Sequence, residues 1–234
     1  MLNESIKLTG RLSIKKYNKK KELVETKEVP NLIVTSGKEF IASRLVANTL
    51  DVMGYMSIGD DNSVPALGQT SLQNELARVA STESSSGVSA TFDASFGPGV
   101  GTGSLVEAGI FNTSDSSVKT FDGDTDVTNS SDNIAIIGHG FQTGDLVTYT
   151  DGGSATITGL TDGGTFYVIR IDDDNLKLAT SETNANAGTA IDITGTSGAT
   201  HKLSYGSMLC RTTFPVINKG ATETVAISWV ITVG

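Results

Sequence analysis

The stretch Thr224 to Val233 constrains the fold more than any other part of this sequence. Val225, Ile227, Trp229, Ile231 and Val233 share one parity, and Ala226, Ser228, Val230 and Thr232 share the other. A period of two with the large residues on one side describes a strand with one face buried in a core. Such a face needs a second layer to cover it, and the rest of the chain offers strands more than helices. Among 234 residues there are 26 Gly and 4 Pro. Ser, Thr and Asp fill the gaps between short apolar runs, the texture of short strands and many turns. The expected fold class is mainly β: an antiparallel β-sandwich or barrel host domain with one or two short helices, plus a small inserted β-domain.

Leu12-Ser13-Ile14 and Glu22-Leu23-Val24 flank a lysine-rich segment and read as an N-terminal hairpin. Pro30 interrupts, and Asn31 to Val34 makes a short strand. Ser36 then suits a helix N-cap, with Glu39 three residues on as in a capping box. Phe40, Ile41, Leu45 and Val46 form one helical stripe, so a helix is expected over about 37–47. Leu72, Leu76 and Val79 predict a second, shorter one over 72–79. Tyr55 to Ile58, Ala90 to Phe96, Leu105 to Phe111 and Met208 to Phe214 read as strands.

The middle has its own series of strand signals at Leu146 to Tyr149, Phe166 to Ile169, Leu176 to Leu178 and Ala190 to Ile193, separated by Asp/Gly turns. Its flanks, Asn112 to Ser131 and Ser204 to Ser207, are rich in Ser, Thr, Asp and Gly, a linker composition. Leu105 to Phe111 and Met208 to Phe214 read as two arms of one hairpin, with Glu107 and Arg211 facing each other as a solvated pair of little energetic weight. A domain inserted at such a tip disturbs little buried backbone. The division predicted is a discontinuous host (1–118 and 205–234), an acidic linker (119–131) and a guest (132–203).

No arrangement of residues points to catalysis, and the chain is read as a non-enzyme with no cofactor and no metal. His139 and His201 bring no third ligand at metal-binding spacing and read as strand-end polar residues. Gly97 to Gly103 has no helix after it and no closing Lys-Ser or Lys-Thr, so it reads as a turn and not a phosphate cradle. Asp122, Asp124 and Asp126 alternate as calcium ligands can, but Val127 and Asn133 stand where an EF-hand loop has Gly and Glu. An acidic linker is the simpler reading. Cys210, the sole cysteine, reads as a small buried hydrophobe.

The net charge of −9 argues against nucleic-acid binding, which needs a basic surface. No apolar run is long enough for a membrane helix, and residues 1–21 lack the apolar core of a secretory leader, so synthesis in a cytoplasm is expected. The charge is uneven: residues 1–30 hold eight Lys or Arg against four Glu, a local +4, and the remainder carries −13. Lys15, Lys16, Lys19, Lys20 and Lys21 are therefore the candidate docking residues for an acidic protein shell. A solvated hairpin tip is the plainer alternative.

The host pattern resembles a group of phage virion proteins, especially those of marine and cyanobacterial phages. The residues that carry the likeness are Asn31 to Lys38 opening into a helix, Ser57 to Asp60 at a strand end, Glu107 to Asn112, Met208 to Phe214, and Asn218-Lys219-Gly220 leading to the Trp229 strand. The guest resembles a β-module repeated in phage structural and adhesin-like proteins, through His139-Gly140-Phe141, Thr143-Gly144-Asp145, Gly159-Leu160-Thr161, Leu176 to Ala179 and Thr200 to Leu203. The resemblance implies a structural protein on the exterior of the virion. The first expectation is a capsid decoration (cement) protein, a homotrimer on the outer face of the major capsid protein. The alternative is a tail-fibre, collar or baseplate component whose guest contacts a host-surface glycan.

Overall fold

The computed structural model describes residues 7–44, 52–114, 118–195 and 200–234. In chain order the elements are β1 (Leu8–Tyr17), β2 (Leu23–Pro30), β3 (Leu32–Ile33), helix α1 (Thr35–Ser43), β4 (Tyr55–Gly59), β5 (Glu75–Ala80), β6 (Thr82–Ser86), β7 (Ser89–Phe96) and β8 (Gly103–Phe111). There follow β9 (Val118–Phe121), β10 (Val127–Thr128), β11 (Asn133–Ala135), β12 (Leu146–Thr150), β13 (Thr165–Arg170), β14 (Asn175–Ala179), helix α2 (Glu182–Asn186) and β15 (His201–Tyr205). Strands β16 (Met208–Lys219) and β17 (Thr224–Val233) complete the series. The chain divides into two compact units: Met1–Lys38, Asp51–Ser114 and Met208–Gly234 form the first, and Glu39–Leu50 with Asp115–Ser207 the second.

The first unit is a β-sandwich of two five-stranded antiparallel sheets, ordered β2-β1-β17-β7-β6 and β3-β16-β8-β4-β5. Strand β17 sits at the centre of its sheet, and its alternation is borne out as far as Ile231: Val225, Ile227, Trp229 and Ile231 are buried and the residues between them are half-exposed, while Val233, expected on the same face, is exposed at the strand's end. Leu12 and Ile14 of β1 and Phe92, Ala94 and Phe96 of β7 join them on the inner face. Each large side chain so hidden contributes about 1.5–3 kcal/mol of transfer free energy. Central strand β8 is buried almost throughout from Leu105 to Phe111, so instead of alternating it is buried on both faces, with Glu107 as its one charged residue. Gly101, at φ +59°, closes the approach to β8; a Cβ there would lie 2.5 Å from the Ile58 side chain.

Two helix expectations need correction. Helix α1 begins at Thr35, so Ser36 lies inside it, and its hydroxyl donates to the Met208 carbonyl at 3.0 Å instead of capping. A Cβ on Gly37 would lie 2.1 Å from the Leu209 carbonyl oxygen, so the first turn needs this glycine to rest on β16. The 45–47 end of that expectation falls outside the described residues. The predicted 72–79 helix is instead edge strand β5, paired with β4 from Tyr55↔Ala80 to Gly59↔Glu75. Pairing satisfies backbone groups that β4 would otherwise expose, and that long-range gain outweighs three apolar residues at helical spacing.

The second unit is one seven-stranded antiparallel sheet, ordered β10-β11-β14-β13-β12-β15-β9, over a core that includes Phe141, Val147, Tyr149, Val168, Leu176 and Leu203. The chain leaves the sandwich after Phe111 and returns at Met208, and these two residues are register partners. The 119–131 segment is not a linker: β9 pairs with β15 and β10 with β11, so it supplies both edges of the sheet. Ala190 to Ile193 is not a strand. It is held by the Ile191 N–H donating to the Leu178 carbonyl at 2.8 Å and by burial of Ile193.

Candidate docking surface

The lysine segment starts inside β1 and ends in the β1–β2 turn. Asn18 builds that turn. Its Oδ1 accepts from the N–H groups of Lys20 (2.9 Å) and Glu22 (3.1 Å), and its Nδ2 donates to the Glu22 carboxylate at 2.7 Å. Lys21 adopts φ +64°, the left-handed conformation that completes the reversal. The result is a fixed tip with Lys19, Lys20 and Lys21 all exposed. The other two candidates lie elsewhere. Lys15 is exposed on β1, and Lys16 is largely covered, its Nζ 3.0 Å from the Glu223 carboxylate. The Gly220 N–H and the Lys16 ammonium hold the Glu223 carboxyl below its usual range.

The Glu107–Arg211 pair is a correction. Neither side chain is solvated; both are 0% exposed. The two sit two residues apart in the β8–β16 ladder, Glu107 opposite Thr213 and Arg211 opposite Gly109. Arg211 Nε donates to Glu107 Oε2 at 2.8 Å, and the carboxylate also accepts the N–H groups of Gln73 (3.2 Å) and Asn74 (2.9 Å). Arg211 Nη1 donates to the Ser63 carbonyl (2.9 Å) and Gln69 Oε1 (3.0 Å). The pair therefore fixes the 60–74 connection, which holds Val64 82% exposed at the surface. With its lone pairs and protons engaged inside the fold, the pair acts as a clasp.

Both histidines are buried in the second unit and each serves a local network. His139 Nδ1 accepts from the Phe141 N–H at 3.0 Å, and its Nε2 lies 3.1 Å from the Asp172 carbonyl. His201 Nδ1 lies 2.8 Å from the Tyr149 hydroxyl, which accepts from the Ile157 N–H at 3.1 Å. Burial lowers the His201 pKa, against the pull of Asp151 and Asp122, and raises that of Tyr149 to about 12. His201 Nε2 is buried without a hydrogen-bond partner.

The Asp122–Asp126 segment is a turn held by its own carboxylates. Asp122 Oδ1 accepts from the N–H groups of Asp124 (2.8 Å) and Thr125 (3.2 Å), and Asp126 Oδ2 accepts from the Asp122 N–H at 2.7 Å. Among the described residues no group of three or more His, Cys, Asp or Glu side chains is placed to hold a metal ion. Gly97 to Gly103 joins two strands, and the buried Lys219 ammonium donates to the Gly97 carbonyl at 2.8 Å. Cys210 is buried, and desolvation pushes its thiol well above the ordinary range. No family model, curated protein or solved structure matches this chain.

Proposed function

We propose that this chain is a structural protein of a bacteriophage virion: a capsid decoration protein, made in the host cytoplasm, that binds the outer surface of the major capsid protein. The observation that carries the reading is the hairpin tip, three consecutive lysines held out by Asn18 on a chain of net charge −9. A basic tip on an acidic body suits an acidic protein surface. It suits nucleic acid poorly, because the rest of the chain would repel phosphates. The resemblance of the host motifs to phage virion proteins supports the same reading. So does the way Glu107, Arg211 and both histidines are absorbed into the fold, which favours a role without catalysis. Binding only to the assembled shell stabilises that shell by mass action.

Co-sedimentation tests the reading, with the full chain mixed with phage capsids from which it has been removed. The native protein is expected to pellet with the shell, less as salt rises and the screening length contracts from ~10 Å at 0.1 M to ~3 Å at 1 M. Lys19→Glu/Lys20→Glu/Lys21→Glu is expected to stay in solution. A triple variant that pellets like the native protein refutes the role of the tip, and a native protein that never pellets refutes decoration.

A further inference from the structure

We infer that the outer face of the β1–β17–β7 sheet is a self-association surface on which a second copy of this chain packs across a twofold axis. This goes beyond the virion reading and does not depend on it. The inward parity of these strands builds the core. On β17 the outward parity is half-buried and made mostly of small side chains (Ala226, Ser228, Thr232), while on β1 and β7 Thr9, Arg11, Lys15, Asp93 and Ser95 are exposed. Two shallow grooves, of about 580 and 520 Å³, lie on this face and share Ser13 and Ser228. Ser13, Ala226 and Ser228 form a floor of small residues over which another sheet can approach the ~10 Å spacing of stacked sheets, with the longer Arg11, Lys15 and Tyr17 at its sides.

The charges on the face are arranged for a copy of itself. Lys15 on β1 is level with Ala226 and Ser95, while Asp93 on β7 is level with Ser228 and Ser13. The two stand on opposite sides of β17, and among the described residues neither takes part in an ion pair. A half-turn about an axis parallel to β17, midway between two stacked sheets, lays β1 of one copy over β7 of the other. Lys15 then lies over Ser95 of the second copy, one step of ~7 Å along the strand from its Asp93. Across the ~10 Å gap the two Cα atoms are then ~12 Å apart, which an extended lysine and the aspartate carboxylate reach together, and symmetry makes the contact twice. Arg11 and Glu28, which pair within one chain, border the second groove. The face is thus electrically balanced on a chain of net charge −9, so copies meet there without the repulsion of the rest of the surface.

The area is adequate. With the flanking β2 and the five-residue β6 included, strands at ~4.8 Å and residues at ~3.4 Å give a footprint of ~600 Å² per copy, or ~1,200 Å² in total, at the lower end of the range of stable interfaces. A threefold arrangement does not make the Lys15–Asp93 contact reciprocal, so the inference replaces the homotrimer implied by the resemblance with a pair.

Sedimentation velocity on the full chain over about 1–100 µM, the range where an interface of this size dissociates, tests the inference. The native protein is expected to be a monomer–dimer mixture. Lys15→Glu and Asp93→Lys, both on exposed strand positions, each set like charges against each other twice and weaken the dimer by roughly tenfold or more. The double variant restores it. Recovery by the double variant also shows that the single variants failed by charge and not by misfolding. A monomer at every concentration, a trimer, a dimer indifferent to the single changes, or a double variant no better than the singles overturns the inference.

Discussion

Replacing Glu107 with Gln keeps the shape of the β8–β16 ladder but removes one charge from a pair that water does not reach. Arg211, 0% exposed, then stays charged with the Asp61 carboxylate 3.6 Å away as its nearest remaining counter-ion. The amide also cannot accept all three donors that the carboxylate accepts from Arg211, Gln73 and Asn74. Breaking a buried pair from one side costs about 3–5 kcal/mol, because the surviving charge has been desolvated without compensation. With a urea slope of ~2 kcal/mol/M this lowers the midpoint by about 2 M. The chain's single tryptophan, Trp229, is fully buried in the same unit, so its fluorescence reports this unit's unfolding. Glu107→Leu/Arg211→Met is expected to cost less than Glu107→Leu alone, since it strands no charge. A Glu107→Gln midpoint within ~0.5 M of the native one corresponds to about 1 kcal/mol, the scale of a solvated pair, and refutes the clasp.

Three further outcomes follow from the structure. Trp229→Ala should destabilise the sandwich by about 3–5 kcal/mol in far-UV circular dichroism melts. Trp229→Phe should cost less, because the indole N–H it removes has no hydrogen-bond partner. Gly37→Ala should lower stability by roughly 1–3 kcal/mol, the usual penalty of forcing atoms into a packed site, because the new Cβ would meet the Leu209 carbonyl; a neutral effect in chemical denaturation would contradict the close approach of α1 to β16. Burial holds the His201 pKa down, so at this site the folded second unit binds fewer protons than the unfolded chain. Its contribution to stability is complete above about pH 6.5 and is lost as the pH falls below that unfolded-state value. Melts of native protein and His201→Gln between about pH 7.5 and 5 should show the native protein losing more on acidification, and equal losses would refute the assignment.

What the sequence made legible was local and periodic. The Trp229 strand, the β8–β16 hairpin and three of the guest strands follow from alternation and turn residues alone. Partners distant in sequence were less accessible. Leu72, Leu76 and Val79 fit a helix until β4 is known to lie beside them, and the Ser/Thr/Asp composition of 119–131 resembles a linker because edge strands carry polar residues too. The candidate docking lysines were found by charge counting, yet only structure separates the displayed Lys19, Lys20 and Lys21 from Lys16, which Glu223 occupies. The depth of Glu107 and Arg211 had one weak signal: two opposite charges set among apolar residues near the start of β16 and in the middle of β8 are either a rim pair or a buried clasp. Burial alone decides which, and burial depends on the 60–74 connection that covers them.

Decoration is tested most directly by the copy number of this protein relative to the major capsid protein, measured by quantitative mass spectrometry of purified particles. A ratio approaching that of the shell subunits is the predicted result. A few copies per particle would place the protein in a tail, collar or fibre and make the guest a candidate for host-surface contact, and absence from the particle would contradict the virion reading itself.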